Sequence, residues 1–293
     1  MCTSETNADQ RTDNPCCVPV HSDFLIHWTG NDLDALSPPD RDVRASSPGE
    51  DSEPWQKYLD RLKSILKFGL WMTAEGGAVQ HGDKEVARLA PTPRTCFTEL
   101  KLSTARLHAS RYGRLGIGFK RPFVVERGGR PVWYYPKWGP SGFWERAGVG
   151  KEILEGYFGC FLKPMNEMRS GSLDYTLYDE SEWRIVYSDW LADKGPALLP
   201  REVNGFAQYM ASLPAGSREP CYLLHVVSRW LAIIIYPDIQ TKREATKDKE
   251  LRCLLRNAKQ VPDPSPVDRC KGPAELEADI PPMELILADC RNF

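Results

Sequence analysis

The chain has 293 residues, with 38 Lys+Arg against 40 Asp+Glu, a formal charge of −2, and 41% apolar and 27% charged side chains. That composition excludes a disordered chain, and the length suffices to bury a sizeable core. The longest apolar run, Trp230–Tyr236, falls far short of the ~20 residues a bilayer span needs, so no membrane helix is expected.

Residues 1–22 are polar and aperiodic, with Pro15 and Pro19, and read as a disordered tail. Asp23–Thr29 is a short apolar run closed by Gly30-Asn31-Asp32, the pattern of a buried strand. Residues 37–53 form an acidic Pro/Ser loop. A helix is predicted from Pro54, with Trp55, Tyr58, Leu59, Leu62, Ile65 and Leu66 on one stripe and Gly69 as its stop. Leu70-Trp71-Met72 begins an extended segment, and residues 74–94 read as a polar loop. Cys96–Leu100 is a short strand, and Ser103 caps a helix through His108. Gly113–Phe119 and Pro131–Tyr135 are predicted strands, and 142–157 is predicted helical.

Trp183–Tyr187 alternates, with Glu182, Arg184 and Val186 sharing one face. Cys221–Val227 and Leu231–Tyr236 are further strands. Thr241–Glu244 reads as a capping box opening a helix that carries Leu251, Leu254 and Leu255. The expectation is an α+β fold: a single domain over 23–260 with a mixed, largely antiparallel sheet flanked by helices. Residues 261–293 are a Pro-rich extension with a short strand at Met283–Leu287.

Nine cysteines, odd in number and without a CxxC pair, point to reduced thiols and to no disulfide framework or metal site. The N-terminus has no basic region followed by an apolar one, so a cytoplasmic location is expected. Charge is unevenly spread. Residues 1–60 carry twelve acids and four bases, whereas 101–130 carry eight bases and the single acid Glu126. The basic stretch suggests an anion or nucleic-acid contact, or neutralisation within the chain.

Three segments carry candidate chemistry. On the first strand, His27 and Thr29 share a face and offer an imidazole and a hydroxyl, with Gly30 allowing close approach of a ligand. His108, Arg111 and Tyr112 lie at i, i+3, i+4 on one helical face, a basic and aromatic lip suited to an anion. Glu180, Glu182 and Arg184 fall on one strand face, where Arg184 would orient a carboxylate. His27, Arg111 and Glu182 are expected to converge on one ligand.

At these residues the chain resembles the abortive-infection AbiGi family, bacterial proteins assigned to phage resistance and antitoxin function. The matching blocks are Phe24–Thr29, Tyr58-Leu59 with Leu62–Leu70, Cys96–Glu99, His108–Phe119, Pro131–Tyr134 and Glu180–Ile185. The resemblance implies a partner toxin and a role in phage defence, without naming a chemistry. His27-Trp28-Thr29 and the Ser-Ile-Leu helix that follows are also similar, more distantly, to DarT-like ADP-ribosyltransferases. That resemblance implies a transferase-like fold with NAD as cofactor. His27 and Thr29 would bind the NAD, and Glu182 would be the catalytic carboxylate on the ribose 2′-hydroxyl. His108, Arg111, Tyr112 and Arg184 complete the candidate binding set. A partner-binding antitoxin, an NAD-dependent transferase and a nucleic-acid binder using 101–130 are the open alternatives.

Overall fold

A computed structural model describes residues 23–33, 53–99, 101–139, 143–169, 171–174, 180–193, 197–199, 205–211, 219–256 and 281–292. The expected tail (1–22), the acidic loop (37–53) except its last residue, and the Pro-rich stretch 261–280 lie outside these residues.

The first strand, β1 (Phe24–Thr29), sends Leu25 into one core and Ile26 and Trp28 into another on the opposite face, as a period of two requires. Helix α1 (Pro54–Phe68) starts at a proline whose missing N–H would have had no helical partner. It buries Tyr58, Leu59, Leu62 and Ile65 against the Leu25 face. Gly69 ends it, donating its N–H to the Ile65 carbonyl.

The chain then makes a long antiparallel hairpin, β2 (Leu70–His81) and β3 (Lys84–Thr98). This corrects the loop expected over 74–94. Gly76, Gly77, Pro91 and Pro93 read as loop residues, and the inward positions Val79, Ala87 and Leu89 are too sparse to signal strands. Their partners Tyr135, Trp144, Leu154 and Leu162 come from later in the chain, so the pairing is set by tertiary packing.

A 3-10 turn at Leu102–Thr104 leads into α2 (Ala105–Tyr112). The helix runs a turn beyond the expected His108 end, and no Ser103 cap forms. β4 (Leu115–Lys120) and α3 (Arg121–Glu126) follow. The expected strand 131–135 divides. β5 (Arg130–Pro131) pairs with one strand and β6 (Trp133–Tyr135) with another, and Val132 between them donates its N–H to the Glu182 carbonyl. The expected helix 142–157 is two short ones, α4 (Phe143–Arg146) and α5 (Lys151–Glu155), with a 3-10 turn at Tyr157–Phe161.

β7 (Leu162–Pro164) runs parallel to β6, and β8 (Glu167–Arg169) with β9 (Ser172–Asp174) forms a small hairpin. β10 (Glu182–Val186), α6 (Asp189–Asp193), β11 (Leu198–Leu199), α7 (Phe206–Ala211) and β12 (Tyr222–Leu224) come next. The strand expected over 221–227 is therefore shorter than its apolar run. β13 (Leu231–Tyr236) precedes α8 (Ile239–Lys247) and α9 (Lys249–Arg256). The N-cap of α8 is Asp238, whose Oδ1 accepts from the Thr241 N–H at 2.8 Å, so Thr241 lies inside the first turn rather than before it. Asp248 caps α9 in the same way through the Leu251 N–H. The last strand is β14 (Met283–Ile286).

Among the described residues one ten-stranded sheet runs β11-β12-β2-β3-β1-β4-β13-β14, with β10 joined to β3 and β5 to β10. Its pairs are antiparallel except β13 with β14. The α+β class and the mixed, mostly antiparallel sheet agree with the sequence reading. Helices α1, α8 and α9 cover one face and α2 the other. No helix among the described residues is long and apolar enough to cross a membrane.

Candidate functional site

β3 changes neighbours near its end. Thr98 is in register with both Ile26 of β1 and Glu182 of β10. Cys96 and Thr98 therefore share a face with Arg184 and Glu182, whereas Phe97 shares the other with Trp183 and Ile185. Beyond Ile26 and Thr98 the register of β1 with β3 ends, and a side chain fills the split. His27 Nδ1 lies 2.9 Å from the Cys96 carbonyl. A carbonyl only accepts, so Nδ1 carries the proton and Nε2 is left as an acceptor. Burial lowers the His27 pKa and the nearby Arg61 charge adds to this, while the Cys96 carbonyl opposes it; the ring is neutral at pH 7.

On the same face Thr29 Oγ1 accepts from Arg61 Nη1 at 3.1 Å, and Arg61 forks onto Asp32, with its Nη2 2.6 Å from Oδ2. Thr29 is thus tied to α1, and His27 to β3. They stand on the Leu25 side of the sheet.

Glu182 is on the other side. Its Oε1 accepts from Arg184 Nε at 2.7 Å, and its Oε2 from Lys163 Nζ at 2.7 Å and Arg184 Nη2 at 3.3 Å. Its backbone is held too, the N–H donating to the Tyr134 hydroxyl at 3.0 Å. Glu180 precedes the strand, yet Ser181 turns it back. Ser181 has φ +42°, the left-handed region that non-glycine residues rarely adopt. The turn brings both carboxylates onto the Lys163 ammonium, with a very close Glu180 contact. Arg111 from α2 approaches Glu180 at 3.6 Å, and Tyr112 beside it bonds to the same carboxylate. Arg184 also donates from Nη1 to the Cys160 carbonyl at 2.6 Å.

The electrostatics follow from burial and pairing. Glu180, Glu182 and Arg184 are all less than 9% exposed. Burial alone would raise the Glu182 pKa, but Arg184 and Lys163 bring it down to about 2. Burial would lower the Lys163 pKa, and the two carboxylates raise it instead. Burial also pushes the Tyr134 hydroxyl up, to about 12. In the cluster two carboxylates, Glu180 and Glu182, face the three basic side chains Lys163, Arg184 and Arg111.

The structure therefore joins Glu182, Arg184, Arg111 and Tyr112 of the sequence-derived candidates and leaves His27 and Thr29 out. His108 packs behind the lip, 1% exposed and stacked on Tyr112. The expected convergence of His27, Arg111 and Glu182 does not occur, because period-two alternation puts residues 27 and 182 on opposite faces. The Glu180–Arg184 row is also buried, not an exposed strand face.

Sequence reasoning missed Lys163, Arg61 and Tyr134. The one signal for Lys163 was a lone cation at the end of the apolar run Tyr157–Leu162, which a half-buried and paired lysine explains. Much of the basic stretch 101–130 is paired within the chain: Arg121 with Glu99, Arg114 with the Pro237 carbonyl, and Arg127 over the Phe123 ring. Among the described residues there is no cluster of three or more His, Cys, Asp or Glu placed to hold a metal.

No protein-family model, no curated protein and no solved structure matches the chain.

Proposed function

We propose that this protein is a non-catalytic binding protein, the antitoxin-like member of a phage-defence pair, and that it acts by engaging a partner toxin. One observation carries the non-catalytic half: both oxygens of Glu182 are engaged by Lys163 and Arg184. A transferase carboxylate must offer an oxygen to a ribose hydroxyl and uncompensated charge to a developing oxocarbenium ion. Glu182 has two cations on it already. The AbiGi resemblance supports the partner, and exposed aromatic side chains supply surface for one. Trp133 is 62% exposed and packs edge-on against Phe158 at 5.5 Å, with Tyr157 48% exposed nearby in sequence.

Co-expression with the product of the adjacent gene, then affinity capture, tests this reading. Stable capture and rescue of growth are expected; neither occurring would refute it.

The second reading is an NAD-dependent transferase. What favours it is the split between β1 and β3, where His27 presents a neutral Nε2 beside Thr29 and Arg61. In that reading the sheet between His27 and Glu182, and the Lys163 contact, both have to rearrange before one NAD reaches both side chains.

A further inference from the structure

The outermost strand on one side of the sheet is held by a charge contact rather than by deep burial. β14 lies parallel to β13, in register from Ile233 with Met283 to Tyr236 with Ile286. β13 is almost wholly buried, whereas Met283 is 54% exposed and Glu284, Leu285 and Ile286 are half-buried. Beyond its backbone ladder and the packing of Leu285 and Ile286, β14 is anchored by Glu284. Its Oε2 accepts from the Tyr236 hydroxyl at 2.9 Å, its Oε1 makes a very close ion pair with Arg252, and its carbonyl accepts from Lys242 Nζ at 2.7 Å. Just past the strand, Leu287 and Cys290 enter the apolar cluster beneath α2. Three donors from β13, α8 and α9 thus converge beside a strand edge, with an apolar pocket following.

We propose that this edge is a strand-acceptor site for an extended acidic segment, filled here by the chain's own C-terminal strand, and that a protein partner docks by supplying a strand of its own in place of β14. The proposal deepens the partner-binding reading and rests on it. The chemistry of the replacement strand is set by its neighbours: a carboxylate at the Glu284 position reaching Tyr236 and Arg252, any backbone carbonyl there for Lys242, and an aliphatic side chain three residues on, at the Leu287 position. Backbone pairing supplies affinity without sequence preference, and the carboxylate and aliphatic pockets select the strand. The edge of β13 is not exposed while β14 covers it, which protects the apolar run Leu231–Tyr236 from pairing with other chains.

The test uses the full-length chain. Glu284→Lys places a cation against Arg252, removes the acceptor of the Tyr236 hydroxyl and should release β14. A labelled peptide of residues 281–292 should then bind the folded variant, and at least tenfold more tightly than it binds the wild-type protein, whose own strand competes. The same peptide carrying Lys at position 284 should bind the variant at least tenfold more weakly. A folded variant that binds neither peptide, or both equally, overturns the proposal. If the variant does not fold, hydrogen exchange on the wild-type chain decides. Amides of 284–287 should exchange at least tenfold faster than those of β1 and β4; exchange at the core rate means that β14 leaves only on global unfolding and overturns it. None of these outcomes depends on whether the adjacent gene product is captured, so the site and the antitoxin reading can fail separately.

Discussion

Lys163 is the residue on which the buried cluster turns, since it touches both Glu180 and Glu182. Lys163→Met keeps the stem's volume and removes the charge, leaving two buried carboxylates to Arg184 and Arg111. The expected loss is about 3–5 kcal/mol, read from urea unfolding at pH 7. A change under 1 kcal/mol would mean that the cluster is not a structural lock. Glu182 gives a second, pH-dependent prediction. Its folded pKa of about 2 lies below the ordinary 4.5. A depressed carboxylate contributes stability that is present above the unfolded value and is lost as pH falls through the folded one, here between about 4.5 and 2. The shift corresponds to about 3 kcal/mol. In Glu182→Gln the fall in stability across that window should be shallower, as followed by denaturant titrations at successive pH values. These residues were half legible in the sequence. The i, i+2 spacing of Glu182 and Arg184 gave their contact, because alternation is local. Lys163 was not legible, because β7 reaches β10 only through tertiary packing, and the Ser181 turn leaves no compositional mark.

At the scale of elements, the strong periodic signals were the dependable ones. The α1 stripe, the β1 run and the β10 alternation each needed only their own residues. The β2–β3 hairpin escaped notice because its buried positions are filled by partners as distant as Leu162. Strand faces explain the largest error at the site: alternation within β1 and within β10 was read correctly, but the register that sets one face against the other passes through Thr98, which no local pattern reveals. One joint is testable directly. Gly113 ends α2 at φ +109°, and a Cβ there would lie 2.3 Å from the Thr29 carbonyl oxygen. Gly113→Ala should therefore destabilise the chain by at least about 2 kcal/mol, seen as a lowered Tm. Asp238→Ala removes the α8 cap and should lower stability by about 1 kcal/mol in the same assay.

For the whole molecule, the sheet separates two polar groups that a transferase would have to bring together. His27 and Thr29 stand on the α1 side of the sheet with Arg61 of α1, and Glu182 with Lys163 and Arg184 stands on the α2 side with Arg111 of α2. The first set presents a neutral imidazole, and the second is a charge-compensated lock. This division favours a protein that works through its surface over one that works through a pocket. Nicotinamide release from NAD by the purified full-length chain, compared with Glu182→Gln, tests that conclusion most directly. The account predicts no release above buffer from either protein; release by the wild type that Glu182→Gln abolishes would contradict it.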